Sequence, residues 1–108
     1  MTTVEQRREY ELTLYVNGAS DRSARAIADA RALLDLHLAG RHRLLIVDVN
    51  DEPAAFLRSG VLAAPALVRD HPLPARRIVG DLSDTQKVLT VLDLLRRPAP
   101  PSEPSRGR

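Results

Sequence analysis

Few residues of this chain are of types that do chemistry. Ser20 and Ser23 stand beside Asp21, and Ser83 lies between Asp81 and Asp84. His37, His42 and His71 are its three histidines. A serine nucleophile needs a base within reach and a third group to orient that base. No G-x-S-x-G elbow surrounds any of these serines. Their places near helix starts fit capping instead, where a hydroxyl or carboxylate accepts from an orphan backbone N–H. The histidines fall at neither HxH nor HxxxH spacing, so none forms a metal-binding pair. The chain has no cysteine, which removes disulfides, thiol redox exchange and thiolate zinc sites. "NGAS" (17–20) matches neither a P-loop nor a GxGxxG turn. No catalytic residue, metal or cofactor is expected, and the chain does not read as an enzyme.

The arginines suggest a different activity. Arg25 lies on the first helix, and Arg69, Arg76 and Arg77 flank a turn in the second half. Arginine is enriched at the energetic centres of protein interfaces. The aromatics are only Tyr10, Tyr15 and Phe56, too few to stack a run of bases. Net charge is +2, and Arg106, Arg108 and Glu103 of the tail supply half of it. The remainder is close to neutral, without the concentrated basic face that nucleic acid requires. A protein partner is expected, and no nucleic acid.

These residues need elements to position them. With 108 residues the chain suffices for one domain of modest core. Residues 1–9 are polar and are expected to fray. "YELTLYV" (10–16) alternates, with Tyr10, Leu12, Leu14 and Val16 on one face, and reads as a strand. "NGASD" (17–21) is turn chemistry leading to a helix capped by Ser20 or Asp21 and ending near Leu38, before Gly40. Ala24, Ile27, Ala28, Leu34 and Leu38 are its expected inner face. "RLLIVDV" (43–49) is continuously apolar, the pattern of a strand covered on both faces.

The second half is less regular. "EPAAFLRSG" (52–60) reads as a short helix with Pro53 in its first turn and Gly60 at its end. "VLAAPALV" (61–68) is strand-like but interrupted by Pro65, a candidate for a cis peptide bond. "DHPLP" (70–74) is a turn and "RRIVG" (76–80) a short strand, so 66–79 reads as an antiparallel hairpin. "SDTQ" (83–86) fits a capping box with Ser83 at the N-cap and Gln86 at N3. Its apolar stripe continues to about Arg97. The tail, 98–108, is proline-rich with no large apolar residue, and is expected to be disordered. No apolar run is long enough to span a bilayer and no signal-peptide core precedes the first strand, so a cytoplasmic protein is expected. The order β-α-β-α-β-β-α, with a proline before the third strand, is the thioredoxin-like α/β arrangement.

"LYVNGASDRSARA" (14–26), "VDVNDEP" (47–53), "VLAAPALV" (61–68) and "RRIVGDLSDTQKVLTVLDLL" (76–95) together resemble the KaiB family. These are small clock proteins that bind the KaiC ATPase ring. The resemblance covers about residues 10–96, within a domain bounded at 10–97. The sensor domain of SasA-type histidine kinases is similar too. The resemblance implies a hexameric KaiC-type ATPase as partner, with KaiA or a SasA-type kinase as further candidates. It implies two folds: a thioredoxin-like form (βαβ then αββα), and a ground state (βαβ then βααβ) that assembles into dimers or tetramers. Pro65, Gly80 and Asp81 fall where strand and helix assignments change between them. Arg25 and Arg69 occupy positions that are basic and partner-facing in the family, and Arg76 and Arg77 match its basic pair by motif. Asp51 stands where the family commonly has Lys, and a basic proline-rich tail replaces an acidic one. A stress-response module, or one that binds a histidine kinase, is the alternative to a clock role.

Overall fold

The computed structural model describes residues 9–60 and 63–94. The first strand is β1 (Tyr10–Val16), followed by α1 (Asp21–His37) and β2 (His42–Asp48). The second half adds α2 (Pro53–Ser59), β3 (Ala66–His71), β4 (Arg76–Val79) and α3 (Thr85–Val91). The sheet order is β2-β1-β3-β4, with β2 parallel to β1, and β3 and β4 each antiparallel to the strand before it in the sheet. This is the expected element order. The tail and residues 1–8 lie outside the described residues. Glu9, expected to fray, accepts two bonds from the Arg41 guanidinium at 2.7 and 2.9 Å.

Two helices cover one face of the sheet and one covers the other. Tyr10, Leu12, Leu14 and Val16 of β1 meet Ala26, Ala30, Leu33 and Leu34 of α1 in one cluster, which continues through Leu67 and Ile78 to Val88, Leu89 and Leu92. On the opposite face Tyr15, Val47, Ala66 and Val68 pack with Phe56 of α2. Tyr15 and Phe56 meet edge-on, ring centroids 5.9 Å apart. Strand alternation explains the division, since successive side chains of β1 must leave on opposite faces.

Three expectations change. The inner stripe of α1 runs through Ser23, Ala26, Ala30, Leu33 and Leu34, whereas Ala24 and Ala28 are exposed. Small residues at 26 and 30 let the helix backbone sit close to β1, which sets the rotation of the helix. β2 is an edge strand rather than a strand covered on both faces, and Leu45 is 58% exposed. Seven-residue α2 is too short to extend over that part of the sheet. Finally, α3 begins at Thr85 and not after Ser83: the Asp84 carboxylate accepts from Lys87 N–H at 3.2 Å and is the N-cap. Asp81 has already taken the Ser83 N–H in a tight turn at 2.9 Å, which delays the helix by one residue. It ends at Val91, earlier than expected.

Leu34 has no exposed surface and Leu45 is more than half exposed. Leu34→Ala should therefore cost about 2–5 kcal/mol of unfolding free energy. Leu45→Ala should stay within roughly 0.5 kcal/mol. Urea titration of the two variants checks both expectations.

Candidate docking surface

Loop geometry at the start of α1 explains why its serines are structural. Ser20 Oγ accepts the Ser23 N–H at 3.1 Å, as an N-cap does. Ser23 is buried, and its hydroxyl donates to the Asn17 carbonyl at 3.2 Å. Asn50 Nδ2 donates to Asn17 Oδ1 at 2.8 Å, and Asp48 Oδ1 accepts from Gly18 and Asn50 N–H groups. The β1–α1 loop is thus pinned to the end of β2. His42 Nδ1 lies 2.8 Å from the Leu38 carbonyl, at the exit of α1. No cluster of three or more potential metal ligands occurs among the described residues.

Four of the singled-out residues converge. Arg25, Pro65, Gly80 and Asp81 line one cleft of about 340 Å³. Its first wall is the opening of α1, with Asp21, Arg22, Arg25 and Asp29 above Ala26. Its second wall is the Gly80–Leu82 segment between β4 and α3. Pro65, buried and following a cis peptide bond, joins the walls: its carbonyl accepts the Gly80 N–H at 2.9 Å. Gly80 has φ of +103°, a conformation open to glycine and strained for other residues. Its lining carries both signs of charge, from Asp21, Arg22, Arg25, Asp29 and Asp81. Such a surface suits recognition of a polar partner.

Asp81 carries the charge of the second wall. Ser83, through its backbone N–H and then its side chain, holds the Asp81 carboxyl below the ordinary value of 3.8. Arg25 and Arg22 across the cleft lower it further, while partial dehydration opposes them. Arg22 was missed in the sequence reading. Its signal was present, because residues 22 and 25 are three apart and share a helix face.

The other arginines lie elsewhere. Arg76 and Arg77 are exposed on β4, at the hairpin end of the strand away from Gly80. Arg69 is not on an exposed face in this fold, contrary to its expected partner-facing position. It is 3% exposed, and its guanidinium donates to the carbonyls of Leu92, Asp93 and Pro74. β3 presents residue 69 to the core face beneath α3, where a charged group persists only when its donors find acceptors.

The KaiB domain model matches residues 13–94, a range that includes both walls of the cleft. The chain belongs to the KaiB family. This KaiB-family protein is 43% identical over 89 residues to the circadian clock oscillator protein KaiB of Synechococcus elongatus, covering 82% of this chain and 87% of that one. It is 40% identical to the KaiB of Gloeothece citriformis, with 82% and 84% covered. In fold it is similar to the N-terminal domain of Synechococcus elongatus SasA, with a TM-score of 0.66 and 18% identity, covering 82% of this chain and 83% of that one. Mitochondrial thioredoxin 3 of Saccharomyces cerevisiae gives 0.64 at 12% identity, over 84% and 83%. The thioredoxin-like fold is therefore shared, on a KaiB-family chain that has no cysteine. No helix among the described residues is long and apolar enough to cross a membrane.

Asp81 gives this surface a pH signature. Its folded value lies below its ordinary one, so its stabilising contribution is present above 3.8 and is lost as pH falls through the lowered value. Asp81→Asn keeps an acceptor for the Ser83 N–H and removes the charge. The difference in thermal midpoint between wild type and Asp81→Asn should be constant near neutrality and shrink below pH 3.8. A difference unchanged across that window contradicts the assignment.

Proposed function

We propose that this protein is a non-enzymatic regulator that docks on a KaiC-type hexameric ATPase and modulates its cycle in circadian or other timing control. The relation to clock oscillator KaiB proteins carries the reading, since it spans 87% of the relative's length and both halves of the fold. The cleft supports it: Arg25, at a position basic and partner-facing in the family, and the Gly80–Asp81 turn, within the matching stretch 76–95, stand together although 54 residues lie between Arg25 and Gly80. Arg76 and Arg77 add a separate exposed basic pair on β4. Arg69 contributes to this fold from within and not as a contact.

The thioredoxin-like arrangement is the docking form in this proposal, and a second packing of residues after Asp48 is its resting alternative. Two packings a few kcal/mol apart can exchange, and a partner that binds one of them shifts the population. Gly80 is a control point, because an added Cβ meets no atom within 4 Å and its effect acts through the backbone alone. A SasA-like role, in which the domain competes for the same ATPase or engages a kinase, is the second reading. The fold likeness to the SasA N-terminal domain favours it.

Titration of the chain against a KaiC-type hexamer with ATP should show saturable binding. Arg25→Ala should weaken it by about thirtyfold, the scale of an interface hot spot. Full affinity in the variant removes Arg25 from the contact, and no binding by wild type to any such hexamer overturns the function. Displacement of bound chain by an isolated SasA-type sensor domain would place both on one surface. Gly80→Ala should change the ratio of two amide signal sets in an NMR spectrum. An unchanged ratio, or one signal set in both proteins, counts against a resting alternative.

A further inference from the structure

Arg69 does more than fill the core. Its guanidinium joins three elements at once. Nη1 donates to Leu92 O at 2.9 Å and Asp93 O at 3.3 Å, at the end of α3. Nη2 donates to Pro74 O at 2.7 Å, in the β3–β4 turn. The Asp93 carboxylate lies 4.0 Å from Nη1. Nε is buried without a partner, so these carbonyls are what reward the burial of the charge.

The end of α3 explains why it needs this support. Leu94 N–H returns to Leu89 O at 2.9 Å and Asp93 N–H to Thr90 O at 3.2 Å. That pair of bonds is a Schellman stop, with the hydrophobic contact of its two ends supplied by Leu89 and Leu94 in the core. The motif wants glycine at the left-handed position, and here the residue is Asp93 at φ +53°. Among the described residues no other non-glycine has positive φ. A seven-residue helix has little stability of its own. The two carbonyls just beyond it, in its strained stop, both end at Arg69.

We propose that Arg69 is a conformational latch: it fixes the C-terminal turn of α3 to the hairpin, so that α3 docks or releases through one side chain. α3 begins three residues after Leu82, which lines the cleft wall. The latch therefore sets the order of that wall from the far end of the helix.

Amide hydrogen exchange on the free protein tests this without any partner, so its outcome is independent of the proposed ATPase. Arg69→Met keeps a long apolar stem and removes every donor. Exchange of residues 85–94 should accelerate by about tenfold or more, while β1 and α1 keep their protection. Asp93→Gly in the Arg69→Met background should restore most of that protection, because glycine takes the left-handed stop without steric strain. Were the Met variant too unstable to fold, Arg69→Lys, which retains charge but loses the fork, is read in the same way. Unchanged exchange in α3, acceleration spread equally over the sheet, or a double variant no better protected than the single one each overturn the latch.

Discussion

Between Tyr10 and Val16 a single strand has to satisfy two neighbours and two faces at once. β1 pairs with β2 along all seven residues and with β3 from Glu11 to Tyr15. Six of its seven residues are buried, including Thr13, whose hydroxyl donates to Asp70 at 2.7 Å on β3. The two edges are not equivalent. Toward β2 the pairing is parallel, and the connection runs through a long helix whose small residues fit the strand closely. Toward β3 it is antiparallel, with an irregularity between Glu11 and Leu12. One edge of β1 is filled by chain adjacent in sequence, and the other by residues more than fifty positions away. The second half must find that edge across a greater loop entropy.

That asymmetry gives the short elements of the second half a need for polar ties of their own. α2, β4 and α3 are seven, four and seven residues long, lengths at which local propensity alone does not hold structure. β4 and α3 are fixed at their ends by a few specific bonds, whereas α2 has no side-chain cap and packs through Phe56. Gly80 N–H on Pro65 O sets where β4 ends, Asp81 on Ser83 N–H sets where the next turn goes, and Arg69 closes the far end of α3. Apolar burial of Val88, Leu89 and Leu92 drives the helix onto the sheet. The polar ties choose its angle and its end points. Removing one of them leaves the hydrophobic drive intact but less specific, which is the condition for a mobile element on a stable platform.

Element order, the βαβ unit, the hairpin and the short helix after Pro53 were all legible, because alternation and turn residues are local signals. What was hidden was set by tertiary position. "RLLIVDV" is equally compatible with a central and an edge strand, and only the pairing of β1 with β3 consigns β2 to the edge. A capping box at Ser83 satisfied every local rule, yet Asp81 captured the Ser83 N–H first and Asp84 became the cap. Arg69 illustrates the limit most clearly. Its strand parity places it on the core face, but nothing in its neighbours announces that the carbonyls of Leu92 and Pro74 will be there to receive it. The cleft was legible only in pieces, as Arg25, Pro65, Gly80 and Asp81 separately. Arg22, one turn before Arg25, went unnoticed until the second wall came to face it.

The cleft has a consequence because its walls belong to different halves. The α1 wall rests on the βαβ platform, and the Gly80–Leu82 wall is carried by the second half. A partner that touches both walls binds only when they face each other across Pro65. Its differential affinity for that arrangement is then added to the stability of the second half, by mass action. Conversely, whatever loosens α3 or the hairpin lowers the competent fraction and raises the apparent dissociation constant in proportion. In the proposed docking, binding and the folding of the second half become one equilibrium seen from two sides. An ATPase that changed its own surface through its cycle would read out, and in turn set, how this protein is folded.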